Sequence, residues 1–283
     1  MILIAESGST KTDWVVIKDG RKQGALTTAG FNPNYFKPEV LEKSVAEVSQ
    51  NLNALDVNQV FFYGSGCSSS HAKKIVTGVI LKSFPQATVE VNHDLFGAAR
   101  ALFSHGRGIA SILGTGSSSC LFDDGKIIQA VPSLGYLFAD EGSGFEIGKR
   151  IIKIAFNREF PGFLQKQFDE EYELEISGFL AKVYSDPKPN SVVADFTPFA
   201  VKNRNEPFIK DLVKSVFDDF FTENIIKYTD YSKYSLGFVG SVAFLFTEEL
   251  EAIARQYDLK IEKIIKNPID ELVKFHLEDF GSR

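Results

Sequence analysis

The chain has 283 residues, enough for two domains with separate cores, although a single large α/β domain remains open on length alone. Hydrophobic residues make up 44% and charged residues 24%, an ordinary globular composition, and a net charge of −6 leaves no electrostatic footprint for nucleic acid or an anionic membrane. No apolar run approaches the roughly 20 residues of a membrane span and no basic n-region opens the chain, so a cytoplasmic location is expected. Cys67 and Cys120 lack CxxC spacing and read as free core thiols.

Residues 1–5 and 14–18 read as strands joined by a Gly/Ser/Thr turn, with a third strand at 25–28. A helix follows over 39–55, with Leu41, Val45, Val48 and Leu52 on one face, and then a buried strand at 59–63 that ends in Gly64-Ser65-Gly66. Next come a helix over 71–83, a strand at 87–92 and a helix over 95–103. Alternation of this kind implies an α/β layer fold.

A second strand cluster runs from 108 to 113 into Gly114-Thr115-Gly116, continues at 119–122, turns at Asp123-Asp124-Gly125 and resumes at 126–131. The strand–turn–strand pattern near residue 6 thus returns about a hundred residues later, a weak internal repeat that suggests two halves with similar cores. Residues 142–228 are largely helical, with breaks at Pro161, Pro187 and Pro189. A late strand at 236–240 leads to Ser241, placed to cap the next helix, and Pro268 opens a short terminal helix.

The turn Glu6-Ser7-Gly8-Ser9-Thr10-Lys11-Thr12 offers backbone N–H groups and hydroxyls suited to phosphate oxygens, although a plain hairpin turn uses the same residues. Gly114-Thr115-Gly116-Ser117-Ser118-Ser119 repeats that chemistry. Two such turns favour a nucleotide site, because a triphosphate with its metal needs donors from two sides. Asp94 follows a strand and precedes a helix, where α/β folds place ligand-facing side chains and where helix N-caps also occur. Asp140-Glu141 precede a helix whose small first turn would attract an anion or hold a sugar hydroxyl through Asp140. Gly237-Phe238-Val239-Gly240-Ser241 would bring an adenine close to the backbone, or simply form a tight strand-to-helix turn. His71, His93, His105 and His276 lack zinc-ligand spacing and are expected at the surface or in polar caps. Neither a GxSxG elbow nor a GxxxxGK[ST] loop is present, so serine-hydrolase chemistry has no support and any ATP use relies on another fold.

These motifs, in this order, resemble the BadF-type ATPase and N-acetylglucosamine kinase family, within the superfamily of actin, the 70-kilodalton heat-shock ATPases and hexokinases. Residues 6–14 resemble the first phosphate motif, 114–117 the second, 236–241 the adenosine motif, and Ala139-Asp140-Glu141-Gly142-Ser143 is the most family-specific piece. The resemblance implies two ribonuclease H-like domains of the actin-like ATPase type flanking an interdomain cleft. The first would span 1–105, joined by a C-terminal helix at 268–283, and the second 106–267 with a helical insertion. It implies ATP and Mg²⁺ as cofactors, a small-molecule sugar as partner, neither nucleic acid nor membrane, and phosphorylation of an amino sugar, N-acetylglucosamine to its 6-phosphate. A homodimer is one open assembly.

At matching positions Asp94 would be the catalytic base. Gly8, Ser9, Thr10, Lys11, Gly114, Thr115, Gly116, Ser117, Gly240 and Ser241 would bind nucleotide. Asn32, Gly66, Asp94, Thr115, Gly116, Gly135 and Asp140 would line the sugar pocket. Glu6 would orient Mg²⁺ through water, and it stands where most of the superfamily has Asp, one methylene or roughly 1.5 Å shorter. Ser118 and Glu271 stand where Asn and Gly are usual. A partner-coupled ATPase that ignores sugar, and a non-catalytic sugar or nucleotide sensor, share the same fold expectation.

Overall fold

The computed structural model of the chain describes residues 1–8, 10–52 and 56–281. They form two compact units, one of Met1–His105 with Asn267–Arg283 and one of Gly106–Lys266. Unit 1 contains β1 (Ile2–Ser7), β2 (Lys11–Lys18), β3 (Arg21–Ala29), α1 (Pro38–Asn51), β4 (Gln59–Gly64), α2 (Ser70–Ser83), β5 (Thr88–His93) and α3 (Asp94–Phe103). Unit 2 contains β6 (Arg107–Leu113), β7 (Ser117–Asp123), β8 (Lys126–Ala130), α4 (Gly144–Phe156), α5 (Gly162–Tyr172), α6 (Ile176–Ser185), α7 (Pro189–Ala194), α8 (Thr197–Lys202), α9 (Pro207–Glu223), β9 (Leu236–Val239), α10 (Ser241–Leu245), α11 (Thr247–Gln256) and β10 (Ile261–Ile265). The last helix, α12 (Ile269–Gly281), belongs to unit 1.

Each unit is built on a five-stranded sheet, in the order β3-β2-β1-β4-β5 and β10-β9-β6-β7-β8. In both, three consecutive strands pair antiparallel, the fourth joins the first of them in parallel, and the fifth joins the fourth in parallel. The sheets therefore share one topology, the structural form of the repeat in the sequence. Hairpin pairing carries β1 and β2 past their apolar runs, through Glu6↔Asp13 and Ser7↔Thr12. Two differences from the sequence reading stand out. β10 is an additional edge strand, and α1 ends at Asn51, with residues 53–55 of the expected helix outside the described residues.

Strand alternation sends Leu3, Ala5, Val60 and Phe62 into one core with Leu41, Val45 and Val48 of α1 and Val76 and Ile80 of α2. Trp14, the single tryptophan, is fully buried there, and its indole N–H donates to Thr28 Oγ1 at 2.9 Å. The other face of β4 carries Phe61 and Tyr63 towards α12, where the His276 ring lies 3.9 Å from Phe61. His276 is therefore a buried residue, 2% exposed, and not a surface one as its spacing suggested.

Its chemistry follows from its partners. Arg100, which can only donate, gives an N–H to Tyr63 Oη at 2.7 Å, so the Tyr63 hydroxyl hydrogen is left for His276 Nε2 at 2.9 Å. That bond requires a neutral imidazole. Burial first, and the Arg100 charge second, lower the His276 pKa to about 4 against an opposing pull from Asp279.

A depressed folded-state pKa contributes stability that is present above the ordinary value near 6.5 and lost as pH falls towards 4. Denaturation followed by Trp14 fluorescence should therefore show unit 1 losing on the order of 3 kcal/mol between neutral pH and pH 4 through this group. His276→Gln should be less stable at neutral pH and should flatten that slope. An unchanged slope in the variant would remove His276 as its source.

Candidate functional site

In unit 1 the register brings three strand ends into one row, Ser7 opposite Gly64 and Gly64 opposite His93. The residues that follow, Gly8, Ser65 and Asp94, leave the sheet at the carboxyl ends of parallel strands, the edge where open α/β sheets bind ligands. Ser65 N–H donates to Ser7 O at 2.8 Å and locks two of these exits together. Ser65 Oγ in turn accepts from Asn32 Nδ2 at 3.1 Å, while Asn32 Oδ1 takes the Asn34 N–H at 3.0 Å. Asn32 is thus buried and fixed through both ends of its amide.

Gly66 lies against it. Its φ of +74° is left-handed, and a Cβ there would come within 2.2 Å of Asn32 Oδ1. The structure therefore brings Asn32 and Gly66 together, next to the row that carries Asp94. Ser65 was not among the expected site residues. Its signal is the Gly-Ser-Gly turn at a strand end, the same composition as the two turns that were singled out.

Asp94 is the first residue of α3, with His93 as the N-cap, so the cap reading of Asp94 does not hold. Its Oδ1 accepts the Leu95 N–H at 2.9 Å. Burial pushes its carboxyl pKa above the ordinary range, against that hydrogen bond. Glu6 is pushed up to about 8, by burial first and then by the negative charges of Asp94 and Asp13, with Lys11 opposing. Glu6 and Asp94 consequently feel one another as like charges.

The first Gly/Ser/Thr turn is less open than its sequence suggests. Ser7 Oγ and Thr12 Oγ1 share a hydrogen bond of 2.7 Å in the interior, Thr12 also donates to Ala29 O, and Gly8 N–H donates to Lys11 O at 2.9 Å. Thr10 and Lys11 remain exposed. Lys11 Nζ contacts Asp13 Oδ2 at 2.6 Å and Asn267 Oδ1 at 3.3 Å, and Ser9 lies outside the described residues.

In unit 2 the β6–β7 turn docks on the start of α4. Gly144 N–H donates to Gly114 O at 2.8 Å, Phe145 N–H to Thr115 O at 3.1 Å and Glu146 N–H to Ser143 Oγ at 3.2 Å. These amides are occupied, which corrects the expectation that this helix N-terminus attracts an anion. Asp140 instead binds the turn directly, its Oδ1 accepting the Ser117 N–H at 3.1 Å. Its backbone is left-handed at φ +70°, which Asp tolerates better than most residues, and burial raises its carboxyl pKa. A Cβ on Gly116 would meet Asp140 Oδ2 at 2.8 Å. Thr115, Gly116, Ser117 and Asp140 are therefore one cluster, while Gly135 lies in the loop before it, its carbonyl accepting from Phe138 and Ala139.

Gly240 ends β9 with φ +123°, and a Cβ there would lie 2.2 Å from Leu113 O. The neighbouring strand itself thus requires the glycine. Ser241 is the first residue of the short α10 and makes no capping hydrogen bond, so the expected cap is absent.

Gly240→Ala is expected to lower the stability of unit 2 by about 2 kcal/mol or more, since main chain must move. Gly114→Ala, with nothing within 4 Å of the new methyl, should cost much less. Thermal melts followed by circular dichroism compare the two, and equal costs would contradict the close approach of Gly240 to Leu113.

No curated protein matches the chain. Among solved structures, a protein from Porphyromonas gingivalis provisionally named an N-acetylglucosamine kinase superposes with a TM-score of 0.93 at 36% identity, over 99% of this chain and 100% of that one. A second of that provisional name, from Chromobacterium violaceum, gives 0.75 at 14% identity over 97% and 98%. The ROK hexokinase of Thermus thermophilus gives 0.52 at 12% over 98% and 99%. At those lower identities the likeness speaks for the fold alone, the actin-like architecture that the sequence motifs implied. The model of the BadF/BadG/BcrA/BcrD ATPase family matches residues 6–207, from Glu6 past the α4 cluster, and the chain belongs to that family.

Proposed function

We propose that the chain is an ATP-dependent kinase of a small sugar, with N-acetylglucosamine and its 6-phosphate as first substrate and product. The observation that carries this reading is Asp94, a carboxylate at the end of a parallel strand, held through Oδ1 by Leu95 N–H and raised in basicity by burial. The carboxylate would then meet a substrate hydroxyl. As the sugar oxygen bonds to the γ-phosphorus, its proton passes to Asp94 and the bond to the β,γ-bridging oxygen breaks, releasing ADP. Asn32 and Gly66 would orient the sugar on the same strand-end row. In unit 2, Thr115, Gly116 and Asp140 would meet sugar hydroxyls, and Gly114, Ser117, Gly240 and Ser241 would lie along the nucleotide, as Gly8, Thr10 and Lys11 would in unit 1.

Mg²⁺ fits the charge of this site. The charges of Asp94 and Asp13 both act against ionised Glu6, with Lys11 as the cation that opposes them there. Among the described residues no three His, Cys, Asp or Glu side chains form a cage, and Mg²⁺ usually takes one or two carboxylates and keeps waters and phosphate oxygens as its other ligands. Glu6 would hold it through water, and when bound it neutralises charge on the transferring phosphoryl group. The family resemblance to a neighbouring P. gingivalis protein named for N-acetylglucosamine supports the sugar. Cys67 and Cys120 are both buried with thiols pushed up to about 12, so neither presents an exposed thiolate.

ADP release from ATP and Mg²⁺, measured with and without N-acetylglucosamine, glucose and N-acetylmuramic acid, tests the reading. Sugar-dependent turnover is expected. Asp94→Asn should reduce it by at least about 100-fold while ATP affinity stays within a few-fold. Turnover indifferent to sugar points to an ATPase, binding without turnover to a sensor, and unimpaired phosphorylation by Asp94→Asn removes the assigned base.

A further inference from the structure

Asp94 begins a helix that is held in place by polar groups with no part in the proton transfer itself. α3 is ten residues long, and its N-cap, His93, makes no side-chain capping hydrogen bond. A helix this short takes its place from what it packs against. Asp94, Gly97 and Arg100 are spaced by three and form one row along it. Gly97 sits directly on β4, where an added Cβ would come within 2.9 Å of Tyr63 Cβ, Cγ and Cδ1. Three residues on, Arg100 Nη1 donates to Tyr63 Oη at 2.7 Å and to Glu90 Oε1 at 3.2 Å. Its guanidinium also lies 4.4 Å from the Phe96 ring centroid and 5.0 Å from that of Phe275 in α12.

Tyr63 is fully buried and is placed by the sheet, opposite Glu6 of β1 and Asn92 of β5. Its hydroxyl accepts from Arg100 and donates to His276 Nε2 at 2.9 Å. Phenylalanine would fill the same space with no polar group to satisfy. A buried hydroxyl with partners on both sides adds what an apolar contact lacks, a fixed direction.

We propose that Tyr63 and Arg100 are positioning residues: with the Gly97 contact they fix α3 against β4, and so hold Asp94 where a substrate hydroxyl reaches it. The inference rests on Asp94 as the base. Gly97 is the pivot, with about 4.5 Å of helical rise to Asp94 on one side and to Arg100 on the other. With equal arms, a tilt that shifts the Arg100 end by about 1 Å shifts Asp94 by as much. A displacement of that size costs on the order of 100-fold where reaction depends on alignment. His276 ties the Tyr63 hydroxyl to α12, so the C-terminal helix bears on Asp94 through Tyr63.

Steady-state kinetics of the full chain with ATP, Mg²⁺ and N-acetylglucosamine test this, with circular dichroism checking that each variant folds. Tyr63→Phe should lower kcat by at least about tenfold and leave KM for ATP within about threefold. Arg100→Met, which keeps an apolar stem and loses the donors, should fall as far, and Arg100→Lys, which restores a donor, should recover part of the loss. In an Asp94→Asn background, where no base is left to position, Tyr63→Phe should change the residual turnover by less than about twofold. Full activity in Tyr63→Phe and Arg100→Met, or a loss as large in the Asp94→Asn background as in the parent, overturns the positioning role and leaves Asp94 as the base. A parent without sugar-dependent turnover, or an unimpaired Asp94→Asn, removes the base and this inference with it.

Discussion

In each unit the site is set by where parallel strands stop. Pairing of Ser7 with Gly64 and of Gly64 with His93 ends β1, β4 and β5 in one row. Whatever follows each strand must emerge at that edge, so Asp94 and the Ser65–Gly66 turn become neighbours although they are far apart in sequence. Unit 2 obeys the same constraint with its own strands. Ile112 lies opposite Val239, and Val239 opposite Ile265, and the chain leaves β6 at Gly114 and β9 at Gly240. The Cβ position of Gly240 is 3.3 Å from Gly114 N, so these two predicted nucleotide residues are adjacent because their strands are.

The row concentrates carboxylates where the fold gives them few counter-charges. Burying an ionised group is costly unless it is paired, and Asp94 and Asp140 are held by backbone N–H groups, Leu95 N–H among them for Asp94 and Ser117 N–H for Asp140. Both are raised by burial, and Glu6 reaches about 8 with the charges of Asp94 and Asp13 added to its burial. Strand ends selected for stability alone would not retain such groups, Glu6 and Asp94 in unit 1 and Asp140 in unit 2. Groups whose ionisation is suppressed in this way are poised for a ligand that supplies protons to take up or positive charge to pair with.

Much of this was legible in the sequence, for physical reasons that also explain what was not. Apolar runs such as 59–63 announce a buried strand because no other element tolerates that composition in so short a stretch. Ile261–Ile265 carries Glu262 and Lys263 and sits at a sheet edge, so its own pattern conceals it. The repeat would have exposed it, since β5 of unit 1 requires a counterpart. The Ser7 and Thr12 hydroxyls look like ligand donors in sequence. Their inward direction is decided by pairing with each other across β1 and β2, a long-range fact. The α4 N-terminus failed as an anion site for a similar reason, because the β6–β7 turn had already taken its amides. His276 was misplaced because a helix pattern shows which residues share a face, not that Tyr63 and Arg100 would meet one of them.

The two sheets share a topology, so the difference between the units lies in what is inserted between their third and fourth strands. In unit 1 that stretch is residues 30–58 and holds α1, whereas in unit 2 it is residues 131–235 and holds α4 to α9. Part of the larger insertion serves the site, since Asp140 and the start of α4 position the β6–β7 turn. The remainder builds a second apolar core rich in phenylalanine, to which α6 adds little beyond Phe179. Val183 of the same helix packs against that core as well, while Ile176, Leu180 and Tyr184 stay exposed. The insertion thus divides between a part that positions the β6–β7 turn and a part that builds a core of its own.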